Sequence, residues 1–142
     1  MKQKYSNKWI ASKQPRKQRK YRANAPIHKK HKMMSSNLSK ELKKKYQRKS
    51  FAIRKGDKVK VMRGEFKKSI GKIETINRKK LRLTIEGINR TKKDGTKINV
   101  WFDASKIQIQ ELNLEDKKRK KSIEKQENKN KQGEKQNAPK KK

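Results

Sequence analysis

Between Ile53 and Ile73 the chain reads I-R-K-G-D-K-V-K-V-M-R-G-E-F-K-K-S-I-G-K-I, a stretch that few folds accommodate. Lys55-Gly56-Asp57 has the composition of a turn, and Val59 and Val61 then alternate with Lys58 and Lys60, as a strand with one buried face requires. Gly64 supplies the positive φ that a tight turn needs, and Gly71 lets the returning backbone approach closely as a second strand begins near Ile70. The stretch therefore predicts two paired strands joined by a basic, glycine-punctuated loop.

The same reading extends downstream. Ile73 and Ile76 belong to the second strand, and their uneven spacing predicts a bend. Asn77-Arg78-Lys79-Lys80 is a polar turn, after which Leu81, Leu83 and Ile85 alternate with Arg82, Thr84 and Glu86. Gly87 predicts a bulge that returns Ile88 to the apolar side. Residues 88–91 and 98–101 are expected to pair as a projecting hairpin across Asp94-Gly95. Trp101 to Ser105 leads into a last strand from Ile107 to Ile109, with Leu112 and Leu114 covering the end. Five or so short strands with polar turns at close intervals predict a mainly β, small and strongly bent barrel.

Charge decides what surrounds that barrel. The 142 residues carry 47 Lys and Arg against 13 Asp and Glu, a formal charge of +34, with only 27% hydrophobic residues. Residues 1–50 hold 18 basic residues and one acid, residues 51–114 hold 17 and seven, and residues 115–142 hold 12 and five. So low an apolar fraction cannot line one core along the whole chain, and the aliphatic residues concentrate in the middle block. The expected division is an extended basic arm over 1–35, a short helix and linker over 36–50, the barrel over 51–114, and a lysine-rich tail over 115–142 that is partly helical or disordered.

In the arm, Tyr5, Trp9 and Tyr21 interleave with Lys13, Arg16, Lys17, Arg19, Lys20 and Arg22. Two readings stand side by side: an extended strap whose cations meet phosphates and whose aromatics stack on bases, and a disordered basic tail with incidental aromatics. From Ser36 to Gln47 the recurrence of Met34, Leu38, Leu42 and Tyr46 predicts a helix, with Ser36, Asn37 or Ser39 as its N-cap. Asn113 is expected to cap a further helix reaching about Gln126, with Glu115 and Asp116 in its first turn.

The polyanion that most readily neutralises such an excess is nucleic acid, because Lys and Arg displace counterions condensed on the phosphates. A membrane surface is excluded as the partner by the absence of a long apolar run and of any cysteine for acylation. No signal peptide is recognisable, and a soluble intracellular protein is expected. His28 and His31 lack a third ligand and are flanked by lysines that repel a metal ion, so they read as polar RNA contacts or plain surface. The acids are scattered, and no phosphate-binding glycine loop or nucleophile–base pair occurs; no enzyme, metal or cofactor is expected.

The Ile53–Ile73 stretch resembles a KOW motif, which implies an SH3-like barrel. The upstream segment is more telling. Lys13-Gln14-Pro15-Arg16-Lys17-Gln18-Arg19-Lys20-Tyr21-Arg22, Asn24-Ala25-Pro26, Ser39-Lys40-Glu41-Leu42 and Lys45-Tyr46 are similar, in order and spacing, to the archaeal and eukaryotic family of universal large-subunit ribosomal protein twenty-four, eukaryotic number twenty-six. Asp94-Gly95-Thr96 and Ser105 to Leu114 match as well, so the resemblance spans roughly residues 13–120. It implies a cytoplasmic ribosomal constituent that binds the 5′ region of large-subunit ribosomal RNA during assembly and sits near the exit of the nascent-chain tunnel. Its implied neighbours are other large-subunit proteins and factors acting on the nascent chain, with no membrane anchor and no homo-oligomer. A KOW module of transcription elongation and a generic nucleic-acid-compacting protein are the competing readings.

Carried onto matching positions, the resemblance implies RNA contacts at Arg16, Lys17, Arg19, Lys20, Arg22, Lys58, Lys60, Arg63, Lys67 and Lys72. Lys13, Tyr21 and His28 upstream, Gly64, Lys68 and Gly71 around the loop, and Arg78, Lys79 and Lys80 in the polar turn complete the candidate set. Two positions depart from the family pattern. Lys68 stands where a glycine is usual, at a cost of about 1 kcal/mol if φ there is positive, and Asp103-Ala104 replaces a His-Pro pair.

Overall fold

A computed structural model describes residues 5, 6, 8 and 12–123. The motif folds as expected. β3 (Lys58–Val61) buries Val59 and Val61 and pairs antiparallel with β4 (Ile70–Asn77), placing Val59 opposite Gly71. β4 has two partners. Its first half pairs with β3, its second half pairs with β5 (Arg82–Ile85), and the register shifts between Ile73 and Thr75, which is the bend that the uneven isoleucine spacing predicted.

Seven strands form one mixed sheet in the order β2-β1-β9-β3-β4-β5-β8, where β1 is Ser35–Leu38, β2 Ser50–Ala52, β8 Phe102–Asp103 and β9 Ile107–Glu111. β2 and β8 are its edges, so the described sheet is open in that order. β6 (Asn89–Thr91) and β7 (Lys97–Asn99) form the separate projecting hairpin, with Asn89 opposite Asn99; this is one residue off the pairing of 88–91 with 98–101, because Lys92 N–H closes onto the Thr96 carbonyl and the turn takes in Lys93 as well as Asp94-Gly95. The core runs from Met34 and Leu38 through Ile53, Val59, Val61, Ile73, Leu83 and Ile85 to Phe102, Ile107 and Ile109. The mainly β class is thus borne out, with more and shorter strands than expected.

Several local expectations are corrected. Residues 36–38 are strand, not helix. Ser36 and Leu38 are buried at alternate positions of β1 and Met34 is buried at the end of α2 just before it, so the spacing of four between Met34 and Leu38 joins two elements and is not one helical stripe. Ser36 escapes the cost of burial by donating its hydroxyl to the Ile107 carbonyl. The helix that does form is shorter, α3 (Lys40–Tyr46), and its cap is Ser39, whose side chain accepts from the Leu42 N–H at 3.3 Å. Leu81 lies in the turn before β5 with φ of 57°, Gly87 sits in a turn, and Leu114 is exposed.

The arm is not extended throughout. α1 (Pro15–Asn24) and α2 (Ile27–Met33) occupy much of it. Pro15 starts α1 because its fixed φ suits a first helical position, and the Arg, Lys and Gln that follow are good helix formers. Ala25, forced out of the helical region by Pro26, ends it with ψ of 135°. No residue of α1 is buried, so its like charges all face water.

At the other end, residues 117–123 are helical, and Asp116 caps them by accepting from the Lys118 N–H at 2.7 Å. Asn113, the expected cap, instead accepts from the Glu115 N–H at 2.9 Å in a local turn. The remainder of that expected helix lies outside the described residues.

Candidate nucleic-acid interface

On the solvent side of the motif, Lys58 and Lys60 project from β3 while Ile70 and Lys72 project from β4. Lys58 stands directly across from Lys72 on one side and from Glu111 of β9 on the other. Like charges in such cross-strand positions repel. Glu111 relieves Lys58 with an ion pair at 2.8 Å, but no carboxylate pairs with Lys60 or Lys72 among the described residues. The adjoining loop adds exposed Arg63, Gly64, Lys67 and Lys68. Its backbone is pinned by Lys68 N–H to the Val61 carbonyl at 2.8 Å and by Lys67 N–H to Gly64 at 3.1 Å, with φ of +94° at Gly64 and 76° at Lys68. The loop therefore offers a run of unpaired cations on a fixed backbone, and Lys68 does occupy a left-handed conformation.

Gly71 has a packing reason for being glycine. A Cβ there would stand 2.7 Å from both the Glu86 carbonyl oxygen and the Ile85 side chain. Arg78, Lys79 and Lys80 are exposed in the turn that the Asn77 side chain holds by accepting from the Lys80 N–H at 3.0 Å. This turn is at the far end of β4 from the loop, roughly 20–25 Å away at strand rise. The sheet thus brings Lys58, Lys60, Lys72 and the loop cations together, and sets Arg78, Lys79 and Lys80 apart as a second cluster.

On α1, Arg16, Arg19 and Lys20 share a face by helical spacing; these residues, Lys13, Lys17 and Arg22 are all exposed. Tyr21 is half-buried. Its hydroxyl meets that of Tyr5 at 2.7 Å and their rings lie 5.0 Å apart, so one side of the expected stacking ring is already taken. That hydrogen bond, then burial, raises the Tyr5 phenol above its ordinary value. His28 is exposed at the start of α2, one turn from half-buried His31. Burial first, then the charges of Arg78, Arg54 and Arg119, lowers the His31 pKa from its ordinary 6.5. Among the described residues no group of three His, Asp or Glu is placed to hold a metal ion, and no helix is long and apolar enough to cross a membrane.

The interface rests on a pair that sequence reading missed. Asp57, at the end of the Lys55-Gly56-Asp57 turn, is fully buried and receives the guanidinium of Arg119, itself 2% exposed, on both carboxylate oxygens. The same carboxylate accepts from the N–H groups of Arg54 and Asn113, each at 2.9 Å. Arg119 also donates to the carbonyls of Asn113 at 2.8 Å and Ala52 at 3.2 Å, and covers the Phe51 ring. One acid in the motif thereby ties β2, the β2–β3 turn, the segment after β9 and the last described helix together. The fold extends past residue 114, since Arg119 and Ile123 are both buried. A lone Arg among the lysines of 117–121 was the available signal, because a planar fork suits a carboxylate where an ammonium does not.

Comparison with known proteins decides what such a molecule is. The family described as the eukaryotic ribosomal proteins L26 and their archaeal L24 counterparts matches residues 12–126. The chain belongs to this family. It is 48% identical over 115 residues to the large ribosomal subunit protein uL24 of Korarchaeum cryptofilum, covering 81% of this chain and 88% of that one. It is also 48% identical over 119 residues to uL24 of Sulfurisphaera tokodaii, covering 81% and 85%. With uL24 of Methanosphaera stadtmanae the identity is 41% over 112 residues, covering 79% and 96%. A ribosomal protein of this family is a structural, non-enzymatic constituent of the large subunit and works in the cytoplasm on the ribosome. The matched span includes α1, the motif and Arg119, so the basic helix, the loop and the buried anchor all lie within the family's own segment.

Proposed function

We propose that this ribosomal protein binds large-subunit ribosomal RNA, in its 5′ region and early in assembly, and stands near the exit of the nascent-chain tunnel beside neighbouring proteins and nascent-chain factors. The observation that carries the reading is the unpaired cation ridge of Lys60, Arg63, Lys67, Lys68 and Lys72 on a rigid sheet in a chain of this family. Affinity comes from counterions released as these side chains and those of α1 meet phosphates. Register comes from shape, because the A-form major groove is too narrow for side chains to read. Lys13, Arg16, Lys17, Arg19, Lys20, Tyr21, Arg22 and His28 form the upstream contact set, and Arg78, Lys79 and Lys80 the second cluster on the sheet. Lys58 contributes after exchanging Glu111 for a phosphate, and Gly64 and Gly71 act by shaping the backbone.

The test is competition binding at about 0.15 M salt between a transcript of the 5′ region, a transcript of equal length from elsewhere in the same RNA, and duplex DNA. Preference for the 5′ transcript is expected. Equal affinity for all three is the result of a generic polyanion binder and overturns the reading. Crosslinking within assembled particles tests the tunnel-exit position.

A further inference from the structure

Between α2, the β2–β3 turn, β4 and residues 113–116 lies an open cleft of about 1310 Å³. Its floor is aliphatic, built from buried Ile53, half-buried Ile76 and exposed Ile27. Acids line it too, and only Asp116 has a counter-ion among the described residues, whereas Glu115 and Glu74 bond neutral amides and keep their charge. Asp116 holds Arg54 and caps the last helix, Glu115 accepts from the Asn113 amide at 3.1 Å, and Glu74 accepts from Asn99 at 3.1 Å. The side chains of His28, Lys32, Lys55 and Arg78 on its rim have no ion-pair or hydrogen-bond partner among the described residues. With Arg54 and Asp116 paired, Lys32, Lys55 and Arg78 face Glu74 and Glu115, a small positive excess beside an apolar floor that suits a ligand with a flat apolar body and an anionic edge.

We infer that this cleft receives an unstacked nucleotide of the bound RNA, its base on the Ile27–Ile76 floor beside His31 and its flanking phosphates on Lys55 and Arg78. The inference rests on the RNA-binding reading above and deepens it. Single-stranded loops and bulges are where proteins read RNA, by stacking splayed bases on His or Arg planes and bonding their exposed edges. His31 suits that role: burial and the neighbouring arginines favour its neutral form, in which one ring nitrogen donates and the other accepts. The volume exceeds the roughly 300–1,000 Å³ of a small-molecule pocket, as fits a strand passing through. Arg78 also joins the cleft to the second basic cluster, so a backbone held by Lys79 and Lys80 runs past the cleft mouth.

The experiment uses the full chain and two RNA hairpins of equal length and charge, one fully paired and one with a single 2-aminopurine bulge. The wild type is expected to bind the bulged hairpin about tenfold tighter, the value of one stacked base, and to change the fluorescence of the probe. The exposed pair Lys55→Ala and Arg78→Ala, and separately His31→Ala, are expected to bring the ratio close to one. Lys92→Ala with Lys93→Ala, in the distant hairpin tip, removes the same charge and is expected to weaken both complexes with the ratio kept. Circular dichroism confirms that each variant is folded. A wild-type ratio near one with tight binding to the paired hairpin overturns the cleft assignment and leaves the RNA reading intact. So does a ratio preserved in both cleft variants, or lost equally in the hairpin-tip variant. Failure to bind either hairpin overturns both.

Discussion

Lys68 shows how a residue chosen for charge is tolerated against backbone preference. Its φ of 76° costs an L-residue about 1–2 kcal/mol, while glycine there would give back part of that through a freer unfolded chain. Lys68→Gly is therefore expected to raise stability by up to about 1 kcal/mol in urea unfolding; an unchanged or lowered midpoint contradicts the strain. His31 is the residue whose surroundings bear on pH. It faces Arg78 from the β4–β5 turn, Arg54 and Lys55 from the β2–β3 turn, Arg119 from the last helix, His28 and Lys32 from α2, and the acids Glu74, Glu115 and Asp116. Burial and the arginines disfavour its charged form, so the unfolded chain binds the proton more readily than the folded one. Stability is then full above the ordinary 6.5 and falls as pH drops from there through the lowered folded value. Proton NMR titration is expected to find a His31 midpoint below 6.5, and His31→Gln to flatten the urea midpoint between neutral and mildly acidic pH. A midpoint at or above the ordinary value refutes this.

At the scale of the element, α1 and the last helix differ in what holds them. Arg16 and Arg19 of α1 are exposed, so their substitution acts on binding and not on the fold. Arg16→Ala with Arg19→Ala is expected to lower the slope of log affinity against log salt by about 1.4–1.8, two phosphate contacts' worth. An unchanged slope means those side chains meet no phosphate. The last helix is held by Arg119, and Arg119→Met leaves the Asp57 carboxylate buried without its counter-charge, a loss of about 3–5 kcal/mol. Asp57→Asn in the same chain removes the orphaned charge, so the double variant is expected to be less destabilised than the two single losses summed. Strict additivity in that cycle shows that the pair is not coupled.

At the scale of the whole molecule, the folded unit reaches from the arm helices to residue 123, with the core closed at one end by the Asp57–Arg119 pair. A chain ending at residue 114 keeps every strand yet loses Arg119, and is expected to melt well below the full chain. A chain ending at residue 123 keeps Arg119 and is expected to melt well above the chain ending at 114. Equal melting of the two truncations shows that the last helix is dispensable. Unpaired cations along α1, the loop and the β4–β5 turn repel one another, and phosphates relieve that repulsion on binding.

The sequence by itself determined the elements whose reasons are local. The Val59 and Val61 alternation, the Gly64 turn, the uneven Ile73 and Ile76 and the existence of the Asp94-Gly95 hairpin each follow from a few adjacent residues, and they hold, whereas Ser39 is one of three candidate caps and the structure selects it. It also determined most of the exposed cations, because a charge without a partner stays in water, and Arg119 is buried only because Asp57 pairs with it. Tertiary structure decided what depends on partners far along the chain. Ser35 to Leu38 became strand because β9, some seventy residues on, offered a parallel edge at Gln108 and Ile109. Asp57 became the buried anchor only because Arg119, 62 positions away, reaches it. The spacing of residues fixes a period, but whether that period is spent on a helix or a sheet, and whether a lone acid is solvated or buried, depends on which distant groups arrive to satisfy its hydrogen bonds and charge.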